Sequence, residues 1–261
     1  MGKHSHCARI RESGIIVVVR ADSSGELVDV AKALQQGGVG IIEITMTTPG
    51  ALGVIEDVRG ALGDDVLVGA GSVLDAETAR ATILAGAEYV VSPVLAEDVI
   101  TMAHRYQKVV MPGTFTPTEM FRAHTLGADF VKVFPANIVG PGYLKDVLAP
   151  MPHLAIVPTG GISVDNIGDY IAAGAAAVGI GSALVKKDWV RDHKFDLLTA
   201  AIVPTGGISV DNIGDYIAAG AAAVGIGSAL VKKDWVRDHK FDLLTAAARD
   251  LRETVEAARG A

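Results

Sequence analysis

The chain has 261 residues, half of them apolar, enough to bury the core of an α/β domain and unlike a disordered chain. Its net charge of −7 argues against a general nucleic-acid or anionic-membrane surface, and its one cysteine, Cys7, excludes an internal disulfide. The opening MGKHSHCARIRES has no apolar signal core, and the longest uncharged run, residues 170–185, is too short to span a bilayer, so the expectation is a cytoplasmic protein with no membrane partner. His4 and His6 are read as part of a disordered tail.

Short β-branched runs alternate with amphipathic stretches along the chain. IIVVV (15–19) precedes a helix ending near Gly37, and GIIEIT (40–45) precedes PGALGVIEDVRGAL. VLVGAG (66–71) and EYVVSP (88–93) are each followed by a helical pattern, as is KVVMPG (108–113). DFVKVFPA (129–136) leads to GYLKDVLA, LAIVP (154–158) to SVDNIGDYIAAG, and AAVGIG (176–181) to a helix starting near Asp188. Buried strands alternating with helices imply a parallel sheet. Eight such units predict a single α/β domain, a (β/α)8 TIM barrel, with an open doubly wound sheet as the other arrangement.

One feature disturbs that count. Residues 155–200 and 201–246 are identical tandem copies, so the seventh strand, seventh helix and eighth strand are duplicated within the single domain 1–261. Ten strands compete for eight places. The approach Met151-Pro152-His153-Leu154 favours the first copy for strand seven. The apolar spacing of Phe241, Leu244, Ala248, Leu251 and Val255 favours the second copy for the last helix. A helix lacking Leu251 and Val255 would forgo about 1.5–3 kcal/mol of burial per side chain. One copy is therefore extra to the barrel, and the surplus block is expected to leave after strand eight.

In a barrel the reactive groups sit at the C-terminal ends of the strands. Alternation puts Ile41, Glu43 and Thr45 on one face, Phe130, Lys132 and Phe134 on another, and Ile16, Val18 and Arg20 on a third. A lysine in an apolar strand is costly to bury as a cation. Two readings follow: Lys132 forms a structural ion pair with a carboxylate such as Glu43, or burial and Arg20 lower its pKa and make it an imine-forming nucleophile. A carboxylate on another strand could then move the protons that imine chemistry needs. The small turns TGG (159–161) and GIGS (179–182) suit a phosphate held by backbone N–H groups. GAGSVL (69–74) is rejected as a dinucleotide loop because Leu74 stands at the third glycine position. The seven histidines compose no triad and no metal set, and no cofactor is expected.

The ordered set EITMTTP (43–49), GAGSV (69–73), VSP (91–93), MPGTFTPTE (111–119), VKVFPA (131–136), VPTGGIS (157–163) and VGIGSALV (178–185) closely resembles the KDPG/KHG aldolase family. These are 2-dehydro-3-deoxy-phosphogluconate and 4-hydroxy-2-oxoglutarate aldolases. The resemblance runs from about residue 9 to the C-terminus, the duplicated block excepted. It implies a metal-free class I aldolase, a homotrimer, acting on a small-molecule 2-keto acid. The Schiff-base lysine falls on Lys132 and the proton-shuttling glutamate on Glu43. Phosphate binding falls on Thr159, Gly160, Gly161 and Ser182, whose second-copy equivalents include Gly206, Gly207 and Ser228. Ser72 stands where many members place a threonine on the pyruvyl carboxylate. Pro93 and Thr114 line the pocket, Phe134 packs beside the lysine, and Arg20 matches a basic residue ending the first strand. Thr47 occupies a position where some members carry an arginine for anionic substrate groups, which bears on substrate preference.

Two other readings are weighed against this one. The chain is a trimeric barrel scaffold built for assembly with an engineered repeat, or it is another phosphate-binding barrel such as an epimerase or a thiamin-phosphate synthase. The retention of Glu43 and Lys132 favours the enzyme, and KVFPA with EIT argues against the last.

Overall fold

The computed structural model describes residues 2–20, 26–186, 190, 192–194 and 246. The chain divides into two units, 1–195 and 196–261, and every element below lies in the first. Apart from Ala246, the second copy of the repeat and the expected last helix fall outside the described residues.

The chain opens with α1 (Lys3–Ser13), β1 (Ile15–Val19), α2 (Leu27–Gln36), β2 (Ile41–Thr45), α3 (Ala51–Leu62) and β3 (Leu67–Gly71). It continues through α4 (Ala76–Leu84), β4 (Tyr89–Val91), α5 (Glu97–Arg105), β5 (Val109–Met111), β6 (Gly113–Thr114) and α6 (Pro117–Thr125). The last elements among the described residues are β7 (Val131–Val133), α7 (Ala136–Leu148), β8 (Ile156–Pro158), α8 (Ile167–Ala172) and β9 (Val178–Ile180). All strand pairs are parallel, in two curled sheets ordered β5-β4-β3-β2-β1-β9 and β6-β7-β8. The sheets meet at a parallel bridge between Thr159 and Gly179. At the other side the chain itself passes from β5 to β6 through Pro112, which has no N–H to give the ladder but whose carbonyl accepts from Lys132 N at 3.0 Å. Both β8 and β9 come from the first copy of the repeat.

The inward faces share one apolar core: Ile16, Ile41, Leu67, Tyr89, Val91, Val109, Met111, Phe130, Val157 and Ala177. Burial of such side chains stabilises by about 1.5–3 kcal/mol each. The core is continuous with Ile10 of α1, which is fully buried. The expectation of a disordered tail is therefore corrected: residues 3–13 form a helix that floors the sheet, with His6 buried on the same stripe as Ile10. Arg9 fastens it, donating to Asp64 O (2.7 Å), Gly40 O (3.2 Å) and Asp65 O. Lys3 pairs with Asp129 at 3.0 Å, and the Arg11 guanidinium lies 4.9 Å from the Phe130 ring centroid.

The helix expected from Gly142 is preceded by a short helical segment from Ala136, the two separated by Gly140 (φ 71°, ψ 176°), which is not helical, before Pro141. α6 opens on a Thr116/Glu119 capping box with proline in its first turn. Among the described residues no helix is long and apolar enough to cross a membrane.

Candidate active site

Glu43 is the central residue of β2, and its carboxylate lies in the interior, only 3 % exposed. It fits there because β3 offers no side chain beside it. A Cβ on Gly71 would fall 2.5 Å from Glu43 Cδ and closer still to Oε1. Gly71 is thus a functional position that sequence reading passed over. Its glycine is demanded by a neighbour's carboxylate and not by backbone conformation, since its φ is not left-handed.

Lys132 is the central residue of β7, 4 % exposed, on the same inward face as Phe130. Its ammonium nitrogen stands 5.2 Å from the Phe134 ring centroid, and its carbonyl accepts from Thr114 Oγ1 at 2.9 Å. Burial pushes the Lys132 pKa below its ordinary value; Glu43 opposes that shift and Arg20 adds to it. Burial pushes Glu43 up, and Lys132 and Arg20 pull it down. The two groups feel each other's charge, yet among the described residues no direct ion pair joins them. The structural ion-pair reading of Lys132 is therefore set aside. A buried lysine with a depressed pKa and no salt bridge presents a neutral amine readily.

Arg20, Phe134, Thr159, Gly160, Gly161 and Ser182 line one cavity, together with Val18, Ser163 and Gly181. Gly160 (φ 96°) and Gly161 (φ 72°) are both left-handed, a backbone that only glycine adopts at little cost. At Gly161 a Cβ would also press against Asn137. Gly179 serves the same wall: a Cβ there would lie 2.9 Å from Thr159 Cγ2. Hydroxyls, a guanidinium and glycine backbone make this a donor-rich wall suited to an anion.

Lys132 and Glu43 do not line this cavity, nor do the other predicted residues, Thr47, Ser72, Pro93 and Thr114, each of which sits in or shortly after a strand end. Thr47 is exposed and shares a 2.9 Å hydrogen bond with the buried Thr45 hydroxyl. Ser72 directly follows Gly71 with φ 60°, a conformation that costs a non-glycine residue about 1–2 kcal/mol. Pro93 follows β4, and its backbone is packed so closely on Gly113 that no Cβ could fit there. Thr114 is buried in β6. Among the described residues no group of His, Cys, Asp and Glu could hold a metal ion.

The structure thus combines a curled parallel α/β sheet, a lysine and a glutamate buried inside it, and a donor-rich cavity beyond the ends of β1, β7, β8 and β9. The model of the KDPG and KHG aldolase family matches residues 7–201, and the chain belongs to that family. It is 34% identical over 173 residues to the 2-dehydro-3-deoxy-6-phosphogalactonate aldolase of Escherichia coli, covering 66% of this chain and 84% of that one. It is 34% identical over 187 residues to the 2-dehydro-3-deoxy-phosphogluconate aldolase of Treponema pallidum, covering 71% and 89%. Among solved structures, the KDPG aldolase of Legionella pneumophila, with pyruvate captured at low pH as a covalent carbinolamine, superposes with a TM-score of 0.71 at 27% identity, covering 75% of this chain and 95% of that one. The protein is an aldolase, an enzyme of the lyase class.

Proposed function

We propose that the protein is a class I, Schiff-base aldolase of phosphorylated 2-keto-3-deoxy acids, with 4-hydroxy-2-oxoglutarate as a further substrate. The carrying observation is the placement of Lys132 and Glu43 in one buried interior, coupled electrostatically but not salt-bridged. Neutral Lys132 Nζ attacks the substrate C2 carbonyl to give a carbinolamine, which loses water to form a protonated imine. Glu43 accepts the C4 hydroxyl proton, directly or through a water, as the C3–C4 bond breaks. Its electrons pass to the imine nitrogen, leaving a pyruvate enamine and releasing the aldehyde. Protonation at C3 and hydrolysis then return pyruvate and free Lys132. With 2-keto-3-deoxy-6-phosphogluconate the aldehyde is glyceraldehyde 3-phosphate; with 4-hydroxy-2-oxoglutarate it is glyoxylate.

The wall of Thr159, Gly160, Gly161, Ser182 and Arg20 supports a phosphate at the far end of the substrate. The Legionella relative's captured carbinolamine supports the covalent course. Ser72, Pro93, Thr114 and Thr47 complete the pyruvyl and aldehyde ends of the pocket. The bridge at Thr159–Gly179 and the continuity of β5 with β6 support a closed (β/α)8 barrel. The working unit is a homotrimer without a cofactor, in the cytoplasm. The scaffold reading is not favoured, because the buried lysine and glutamate serve no assembly.

Sodium borohydride with pyruvate tests this. The protein should gain a reduced pyruvyl adduct on Lys132, located by peptide mass spectrometry. Undiminished labelling and turnover in Lys132→Ala would sink the proposal. Because the relatives include both phosphogluconate and phosphogalactonate aldolases, turnover on the two C4 epimers assigns the preferred one.

A further inference from the structure

The residue row that carries Glu43 holds a second polar group with no part in the scheme above. Glu43, Gly69 and Tyr89 stand in lateral register across β2, β3 and β4. Gly69 contributes no side chain, and the Tyr89 ring fills the space it leaves: a Cβ on Gly69 would overlap ring atoms Cε1, Cζ and Cε2. The ring therefore crosses β3 on the side of Glu43. Tyr89 is fully buried, at 0% exposure, and among the described residues its hydroxyl has no hydrogen-bond partner. An unpaired hydroxyl in an apolar core is a net cost that phenylalanine would avoid while filling the same space.

We propose that Tyr89 is a positioning residue for Glu43: its O–H donates through one bridging water to the Glu43 carboxylate and holds it as the ionised base. This inference rests on the assignment of Glu43 as the proton shuttle. Three groups lie within electrostatic reach of that carboxylate: Lys132 from β7, Arg20 beyond the end of β1, and Tyr89 from β4. The first two are cations; Tyr89 is the neutral donor. Burial and the Glu43 charge both push the Tyr89 hydroxyl well above its ordinary pKa of 10, so it stays protonated and able to donate. A hydrogen bond to the ionised form lowers a carboxyl pKa, against the burial that raises that of Glu43.

Tyr89→Phe removes one oxygen and leaves the ring in place. The Glu43 carboxyl is titrated by carbon NMR in both proteins, with Glu43→Gln identifying its signal. The expected midpoint in Tyr89→Phe lies about one pH unit higher, the scale of a hydrogen bond to a charged group. The acidic limb of kcat moves with it, while KM is unchanged. An unchanged or lower midpoint, with a raised Tm, overturns the proposal and leaves the hydroxyl as a burden on the fold. Full turnover in Glu43→Gln would instead remove the proton-shuttle assignment, and the NMR midpoint would still decide whether Tyr89 holds the carboxylate.

Discussion

Gly71→Ala puts the site geometry to its sharpest test. The added methyl meets Glu43 Cδ at 2.5 Å, whereas carbon atoms rest at about 3.5–4.0 Å, so the carboxyl must retreat by about 1 Å. It has little room to do so, because Glu43 is buried and the Tyr89 ring occupies the gap over Gly69. Overpacking of this kind costs about 1–3 kcal/mol of stability. A catalytic group displaced by about 1 Å loses about 100-fold in rate, equivalent to about 2.7 kcal/mol of transition-state stabilisation. The assay is pyruvate release coupled to lactate dehydrogenase, beside borohydride trapping with pyruvate. Turnover should fall about 100-fold while trapping on Lys132 survives, since β7 is untouched. A kcat within about threefold of the parent protein would refute the claim that Gly71 exists to seat the Glu43 carboxylate.

Arg20 holds the Lys132 pKa down, as the smallest of the causes named for that group, so Arg20→Ala should move the pH dependence of imine trapping slightly alkaline; a shift to acid would contradict the electrostatics. The folded-state pKa of Glu43 is raised above its ordinary 4.5, so the native state holds a proton that the unfolded state releases, and stability falls as pH rises through that window. Lys132→Met removes the main opposing charge. Its Tm should therefore fall more steeply above about pH 4.5 than that of the parent, and adding Glu43→Gln should flatten the slope. Parallel slopes in all three proteins would exclude the coupling. Thr116→Ala removes the hydroxyl that accepts from Glu119 N, and denaturant titration should show a loss of about 1 kcal/mol with kcat unchanged.

The strand cores could be read because each is a β-branched run closed by glycine, proline or a polar turn. IIVVV coincides with β1, and each of the other runs contains a strand but is longer than it, most of all DFVKVFPA around β7. Alternation was enough to place Glu43 and Lys132 on inward faces. What escaped is longer in range. α1 shows only His6 and Ile10 on its buried stripe amid charges, and its stability comes from carbonyls of the segments before β2 and β3 that no local pattern reveals. Gly71 and Gly69 look like ordinary strand glycines until cross-strand register sets Glu43 and Tyr89 beside Gly69 and the Glu43 carboxyl reaches over Gly71. The short helical segment from Ala136 was hidden because Gly140, which is not helical, separates it from the helix that follows Pro141.

The floor helix also imposes an order on folding. α1 precedes all of the strands, yet Lys3 and Arg11 reach for Asp129 and Phe130, beyond β5. Those contacts span well over a hundred residues, so the full set that holds α1 is complete only once the segment after β5 is in place. The amide protons of α1 should accordingly be among the last protected in pulse-labelled refolding, although they come first in the sequence.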